Sequence, residues 1–208
     1  MGGWASGAAV TAMILTGCGG QRQGDATGGG NPSPAAVAPV AASPAADATT
    51  QADPAPVEIR LVDHAGLVQE IERHRGKVVV LDCWSTSCPP CVKEFPGLVA
   101  LAAKHGVRVQ CLSLCFDYDG LGKPEDLVPP VRAFLEKVGA GKVTNLFSSE
   151  EADGLYQKLD LVSVPAIFIW KPDGSLAIRY DDDMAARELG RPFTYADVEE
   201  TVGDLVAN

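Results

Sequence analysis

The sequence predicts an α/β fold, a central mixed β-sheet flanked by helices. Three observations carry this. Residues 77–81, Lys-Val-Val-Val-Leu, form a continuous β-branched run of the kind found in a strand buried on both faces of a parallel sheet. Segments of helical periodicity alternate with strand-like segments in the order βα-βα-β-α-β-α-ββ-α, which implies layers. Pro172-Asp173-Gly174 is a turn signal between two apolar runs, so the last two strands should pair as a hairpin.

Taken in order, residues 57–61 (Val-Glu-Ile-Arg-Leu) alternate and suggest a strand, and Leu67, Val68 and Ile71 have the spacing of a short helix. After the run at 77–81, a helix is expected from Pro90 to Lys104, with Leu98, Leu101 and Ala102 inward. Pro96 lies within it and should kink it. Residues 107–114 read as the next strand, and 117–130 as a polar, turn-rich connection. A helix at 131–138, a strand at 143–147 and a helix at 152–159 follow. Pro165 opens the apolar run Ala-Ile-Phe-Ile-Trp, which pairs with 176–180, and 197–206 is a closing amphipathic helix.

The N-terminal part has another character. Residues 19–56 contain no aromatic residue and only Val37 and Val40 as larger aliphatics, so they cannot bury enough apolar surface to offset their ordering entropy. They are expected to be a disordered linker, leaving residues 57–208 for one domain. Ala8 to Leu15 is an apolar run too short to span a bilayer, the pattern of an export signal covering residues 1–18. It ends in Leu15-Thr16-Gly17-Cys18, which resembles the bacterial lipobox, although no Lys or Arg precedes Cys18. That resemblance implies lipidation at Cys18, a membrane tether and a location outside the cytoplasm. With 17 Lys and Arg against 27 Asp and Glu, net charge −10, and no basic cluster, nucleic acid is not an expected partner.

Chemistry concentrates in VVVLDCWSTSCPPCVKEFP, residues 78–96, with three of the six cysteines. A four-thiolate zinc site using Cys88, Cys91, Cys111 and Cys115 has near-suitable spacing. If Cys111 and Cys115 share one strand, however, their α-carbons are about 13 Å apart, whereas both sulfurs must lie about 2.3 Å from one metal. A purely structural Cys88–Cys91 bridge would close a very short loop and gain little entropy. A reversible dithiol at a strand-to-helix seam fits better. There the positive end of the helix favours the thiolate of Cys88, and a C-x-x-C pair in such a setting can lower a cysteine pKa from about 8.5 to roughly 7 or below. Cys91, one turn inside the helix, is placed to resolve a mixed disulfide.

This stretch resembles the active-site region of the thioredoxin superfamily, and within it the membrane-tethered TlpA/ResA-like thiol–disulfide oxidoreductases. Trp84 matches the family tryptophan, Cys91-Val-Lys-Glu94-Phe-Pro96 matches C-x-x-E-x-P, and Val164-Pro165 resembles the family's cis-proline turn. The resemblance implies a thioredoxin-like fold over residues 57–208 and catalysis by Cys88 as nucleophile and Cys91 as resolving cysteine, with no cofactor beyond their disulfide. It implies that Asp82 accepts and returns the proton of Cys91, with Glu94 a weaker candidate for the same task. Trp84, Pro89, Pro90, Val164 and Pro165 are expected to form the apolar rim that receives substrate. Also implied are protein thiol or disulfide substrates such as apocytochrome c, and a membrane thiol carrier as electron donor. Many TlpA/ResA-like proteins have Asn at this position, so Asp82 departs from them toward thioredoxin itself, which carries a buried aspartate there.

The other candidates carry less. Cys83, Cys111 and Cys115 fall on apolar strands and read as small buried hydrophobes, with a Cys83–Cys111 contact left open. His64, His74 and His105 read as surface residues, and Asp181-Asp182-Asp183 as a solvated loop. Two alternatives to a disulfide reductase remain. One is a non-catalytic thioredoxin-like binding, chaperone or soft-metal (copper) delivery module. The other is a peroxidase, against which Thr86-Ser87-Cys88 is one residue short of the required Thr-x-x-Cys.

Overall fold

The computed structural model describes residues 56–207. The expected signal, the lipobox Cys18 and the linker up to residue 55 lie outside the described residues. Six strands form one mixed sheet: β1 (Ile59–Val62), β2 (Val78–Trp84), β3 (Val109–Cys115), β4 (Thr144–Ser148), β5 (Ala166–Trp170) and β6 (Leu176–Tyr180). Their spatial order is β1-β4-β3-β2-β5-β6. β1, β4, β3 and β2 pair in parallel, while β5 is antiparallel to both β2 and β6. The helices are α1 (His64–Arg73), α2 (Pro89–His105), α3 (Val128–Lys137), α4 (Ala152–Lys158), α5 (Asp182–Met184) and α6 (Tyr195–Ala207).

β2 is central and all seven of its residues are buried, as its unbroken apolar run requires. Its alternate residues feed two cores. Val78, Val80 and Trp84 pack with Phe95 and Leu98 of α2, Val131 and Leu135 of α3, and Val198 and Val202 of α6. Val79, Leu81 and Cys83 pack with Leu67 of α1 and Leu155 of α4. Asp82 has the parity of Val80 and Trp84, which puts a carboxyl on the face covered by α2 and α6.

Several boundaries differ from the sequence reading, each for a local reason. The first strand begins at Ile59, where pairing with Asn145 of β4 starts; the Val57 carbonyl instead accepts a bond from Arg132. The third begins at Val109, after a 3₁₀ turn over Gly106–Arg108 that leaves Val107 exposed. α3 starts at Val128 because Pro129 and Pro130 fit its first turn, where their missing N–H groups cost nothing. α2 runs on through Pro96. α6 begins at Tyr195, two residues early. Thr194 and Asp197 make a capping-box contact there, the Asp197 carboxylate accepting from both Thr194 N (2.8 Å) and its Oγ1 (3.1 Å).

Three expectations about polar residues are corrected. His105 is not a surface residue: its side chain is 8% exposed and its Nε2 lies 2.9 Å from Glu199 Oε1. His74 likewise meets the buried Glu70, which also binds Arg60 and Arg73. Asp181 is not part of a solvated loop; it accepts from Met184 N at the start of α5 and pairs with Arg179 at 2.6 Å. A Cys83–Cys111 contact is also ruled out. The register sets Cys111 beside Val80 and Cys83 beside Leu114, and the two thiols belong to opposite core layers.

Candidate active site

The chain leaves β2 at Trp84, turns through Ser85-Thr86-Ser87 and enters α2 at Pro89. Asp117, just past the end of β3, grips that turn. Its Oδ1 accepts from Ser85 Oγ (2.7 Å) and Thr86 N (2.8 Å), and its Oδ2 accepts from Thr86 Oγ1 (2.6 Å). Sequence reasoning passed over Asp117 as part of a polar connection, and no short-range pattern marks it. Replacing it with alanine is expected to cost about 1–2 kcal/mol of unfolding free energy, at the lower end for bonds to a charged group because Thr86 is exposed. Urea denaturation checks this; an unchanged midpoint would mean the turn holds itself.

Cys88 is the N-cap of α2. Its backbone is extended, its carbonyl accepts from Val92 N, and the N–H of Cys91 donates to its Sγ at 3.2 Å. Cys88 and Cys91 are joined as a disulfide, with α-carbons 5.3 Å apart. The two sulfurs are not equivalent. Cys88 is half-buried, whereas Cys91 is 3% exposed. Pro89 and Pro90 occupy the first two helical positions, cost no hydrogen bond there, and stand exposed beside the disulfide.

The Val164–Pro165 peptide is cis. It leads into β5 and sets the Val164 carbonyl oxygen 3.6 Å from Cys88 Sγ. Val164 and Pro165 are partly exposed, so an edge of backbone runs beside the accessible sulfur. Trp84 does not belong to this rim. It is completely buried, with Phe95 and Phe134 rings centred 4.8 and 5.0 Å away, because its parity on β2 points it beneath α2 and α3. The expectation that it receives substrate is corrected: Trp84 is core that supports the start of α2.

Beneath the disulfide lies a cavity of about 230 Å³ whose lining includes Asp82, Cys91, Glu94, Val164, Pro165 and Tyr195. Burial pushes the Asp82 carboxyl up from 3.8 to about 7, against a hydrogen bond from Tyr195 Oη (2.5 Å to Oδ2) that lowers it. Tyr195 was missed by sequence reasoning. The pair Thr194 and Asp197, a capping-box signal, could have moved the start of α6 and placed it on the first turn. Glu94 is partly exposed at the cavity edge, 3.5 Å from Lys93 Nζ. Burial raises the thiols of Cys83, Cys111 and Cys115, Cys111 to about 12, so these three stay protonated and inert.

Comparison with known proteins places the architecture. No family model matches the chain. Among solved structures it is similar to a thioredoxin-like superfamily protein at 16% identity and TM-score 0.50, covering 66% of this chain and 85% of that one. A secreted Mycobacterium tuberculosis disulfide oxidoreductase homologous to E. coli DsbE matches at 20% identity and TM-score 0.48, covering 64% and 86%. The exposed lipoprotein thioredoxin of Streptococcus pneumoniae matches at 15% and 0.48, covering 65% and 90%. At such identities the likeness speaks to the fold, and the fold is thioredoxin-like.

Proposed function

We propose that the chain is an extracytoplasmic thiol–disulfide oxidoreductase that reduces protein disulfides through Cys88 and Cys91. The observation that carries this is the asymmetry of the pair: an accessible sulfur at a helix N-terminus, and a buried partner that shares a cavity with a carboxyl titrating near neutrality. A structural staple needs neither feature.

In the reduced protein the Cys88 thiolate attacks one sulfur of a substrate disulfide, whose other sulfur leaves as a thiolate and takes a proton from water. The Val164 carbonyl edge and the apolar surfaces of Pro89, Pro90 and Pro165 hold the substrate backbone beside Cys88. Cys91 then gives its proton to Asp82, attacks Cys88 Sγ and releases the second substrate thiolate, which is protonated in turn. Two electrons and two protons pass to the substrate, and the Cys88–Cys91 disulfide remains. Glu94 at the cavity edge offers a relay for the proton between Asp82 and solvent. No further cofactor is required. Reducing equivalents return from a membrane thiol carrier, and apocytochrome c is a substrate of the right kind. The lipid-modified Cys18 and the linker hold the domain at the membrane surface. No helix among the described residues is long and apolar enough to cross a membrane.

The test is insulin reduction by the dithiothreitol-reduced chain, with single-turnover loss of its own thiols followed in parallel. Acceleration over dithiothreitol alone, with one Cys88–Cys91 disulfide formed per substrate disulfide opened, is the expected result. A chain that binds Cu(I) tightly and leaves insulin intact would overturn the proposal in favour of metal delivery.

A further inference from the structure

We propose that Tyr195 is the positioning residue that keeps Asp82 usable as a base, and that Gly97 provides the notch through which its phenol reaches that carboxyl. The inference rests on the role given to Asp82 above and adds the device that tunes it. Its ground is geometric. Tyr195 stands at the start of α6, and Gly97 lies on α2 in the chain segment that follows Cys91. A β-carbon at position 97 would fall 2.2 Å from Tyr195 Cγ and 2.4 Å from its Cβ, so any side chain there would displace the tyrosine. Through this gap the Tyr195 Oη reaches Asp82 Oδ2, 113 positions away in sequence.

A ring alone would fill the notch equally well as phenylalanine. A phenol that reaches into this half-buried place takes a partner for its O–H, and the partner it meets is the buried carboxyl of Asp82. Both groups line the cavity that also touches Cys91. The other titratable groups about Asp82 are Cys91 and Glu94 from α2, Cys111 from β3, its own neighbour Cys83, and Asp182 across the cavity. β5 contributes Ile167, opposite Asp82 in the register, with no charge. Cys91 is tied up in the disulfide, Cys83 and Cys111 are neutral thiols and the others are further acids, so none of them favours a carboxylate. Among the described residues, Tyr195 is the one side chain seen to donate a hydrogen bond to Asp82.

The consequence follows from two opposed effects. Desolvation favours the neutral acid, and a donated O–H favours the anion. With both, Asp82 is free to accept the Cys91 proton as the thiolate attacks Cys88 Sγ of the mixed disulfide. Without the phenol, Asp82 stays protonated in the neutral range and the resolving step loses its base. The proton that Asp82 takes in that step leaves through the cavity, and the electron pair of the Cys91 thiolate forms the new S–S bond as the substrate thiolate departs.

The experiment uses the full chain labelled with carboxyl-¹³C aspartate. In the oxidised protein the Asp82 signal is titrated in wild type and in Tyr195→Phe. The midpoint should rise by about one pH unit on loss of a hydrogen bond to the charged form. Gly97→Ala, which pushes the ring away by another route, should move it in the same direction. In single-turnover kinetics the pH dependence of mixed-disulfide resolution should shift with it. The rate near pH 7 should then fall several-fold, up to about tenfold for a full unit, and the same substitution made in an Asp82→Asn background should have no further effect. An Asp82 midpoint unmoved by Tyr195→Phe, or an equal slowing in the Asp82→Asn background, would show that the tyrosine only packs. If the midpoint moves but wild type reduces no protein disulfide, the tuning stands and the oxidoreductase reading falls.

Discussion

Changing Cys91 to serine is expected to stop the protein at the mixed disulfide. Reduced Cys91→Ser mixed with insulin should yield a covalent complex on a non-reducing gel, released by dithiothreitol. Cys91 is bonded to Cys88 across a single helical turn, with α-carbons 5.3 Å apart. A thiol held so close acts at an effective concentration far above that of any external reductant, so resolution should slow by about 10³-fold or more without it. Turnover then falls to the rate at which free thiol attacks the complex. Cys88→Ser is the matching control and should capture nothing, because Cys91 is 3% exposed and no substrate sulfur can line up with it. Among the described residues the spare thiols Cys83, Cys111 and Cys115 cannot stand in, since they are buried and held protonated, and Cys18, outside those residues, is to be changed to serine in both variants. Equal capture by the two variants would remove the assignment of Cys88 as the attacking sulfur.

What a sequence can show of such a site depends on how far apart its parts are in the chain. The central strand was legible because burial on both faces leaves an unbroken apolar run, and its single polar member, Asp82, stood out against that run. Cys88, the two prolines and Cys91 were legible because the chemistry of a dithiol at a helix N-terminus is local. The thioredoxin-like fold followed from the order of elements together with these motifs, and the solved-structure comparison bears it out. The parity of β2 was also readable, but its meaning for Trp84 was not. Whether an aromatic beside a site faces substrate or core depends on which helices cover that face, and α3 with Phe134 is assembled from a segment whose start the sequence reading set three residues late.

Tyr195 and Asp117 were illegible for a different reason. Each acts on the site from far along the chain, Tyr195 on Asp82 and Asp117 on the turn at residues 85–86, by contacts that periodicity does not encode. Gly97 is the instructive case. Within a helix, glycine is unfavourable by about 1 kcal/mol relative to alanine, so its presence one residue after Pro96 asked for a packing reason. That reason is a ring from α6, visible only once the two helices are set side by side.

Asp82→Asn carries the largest expected effect on stability, and the sign follows from where the proton sits. The folded chain holds a proton on Asp82 up to about pH 7, against 3.8 for an unperturbed aspartate, chiefly through burial. Between those values the native state binds more protons than the unfolded one, so the contribution of this group falls as pH rises through that window and is constant above it. Roughly three pH units at 1.36 kcal/mol each make the cost at pH 8 about 4 kcal/mol, an order-of-magnitude figure. Asparagine keeps the shape, still accepts from Tyr195, and carries no charge at any pH. The variant should therefore match wild type near pH 4 and exceed it by a few kcal/mol at pH 8, which urea denaturation at the two pH values measures. Its resolving step should lose the pH dependence near 7 and become slower, because the buried carboxyl that shares the cavity with Cys91 is gone. Stability and rate then move in opposite directions from one atom replacement, the mark of a buried acid retained for chemistry and not for folding. A variant no more stable than wild type at pH 8 would show that Asp82 is already solvated as an ordinary carboxylate, and with that the proton route from Cys91 would have to be sought elsewhere.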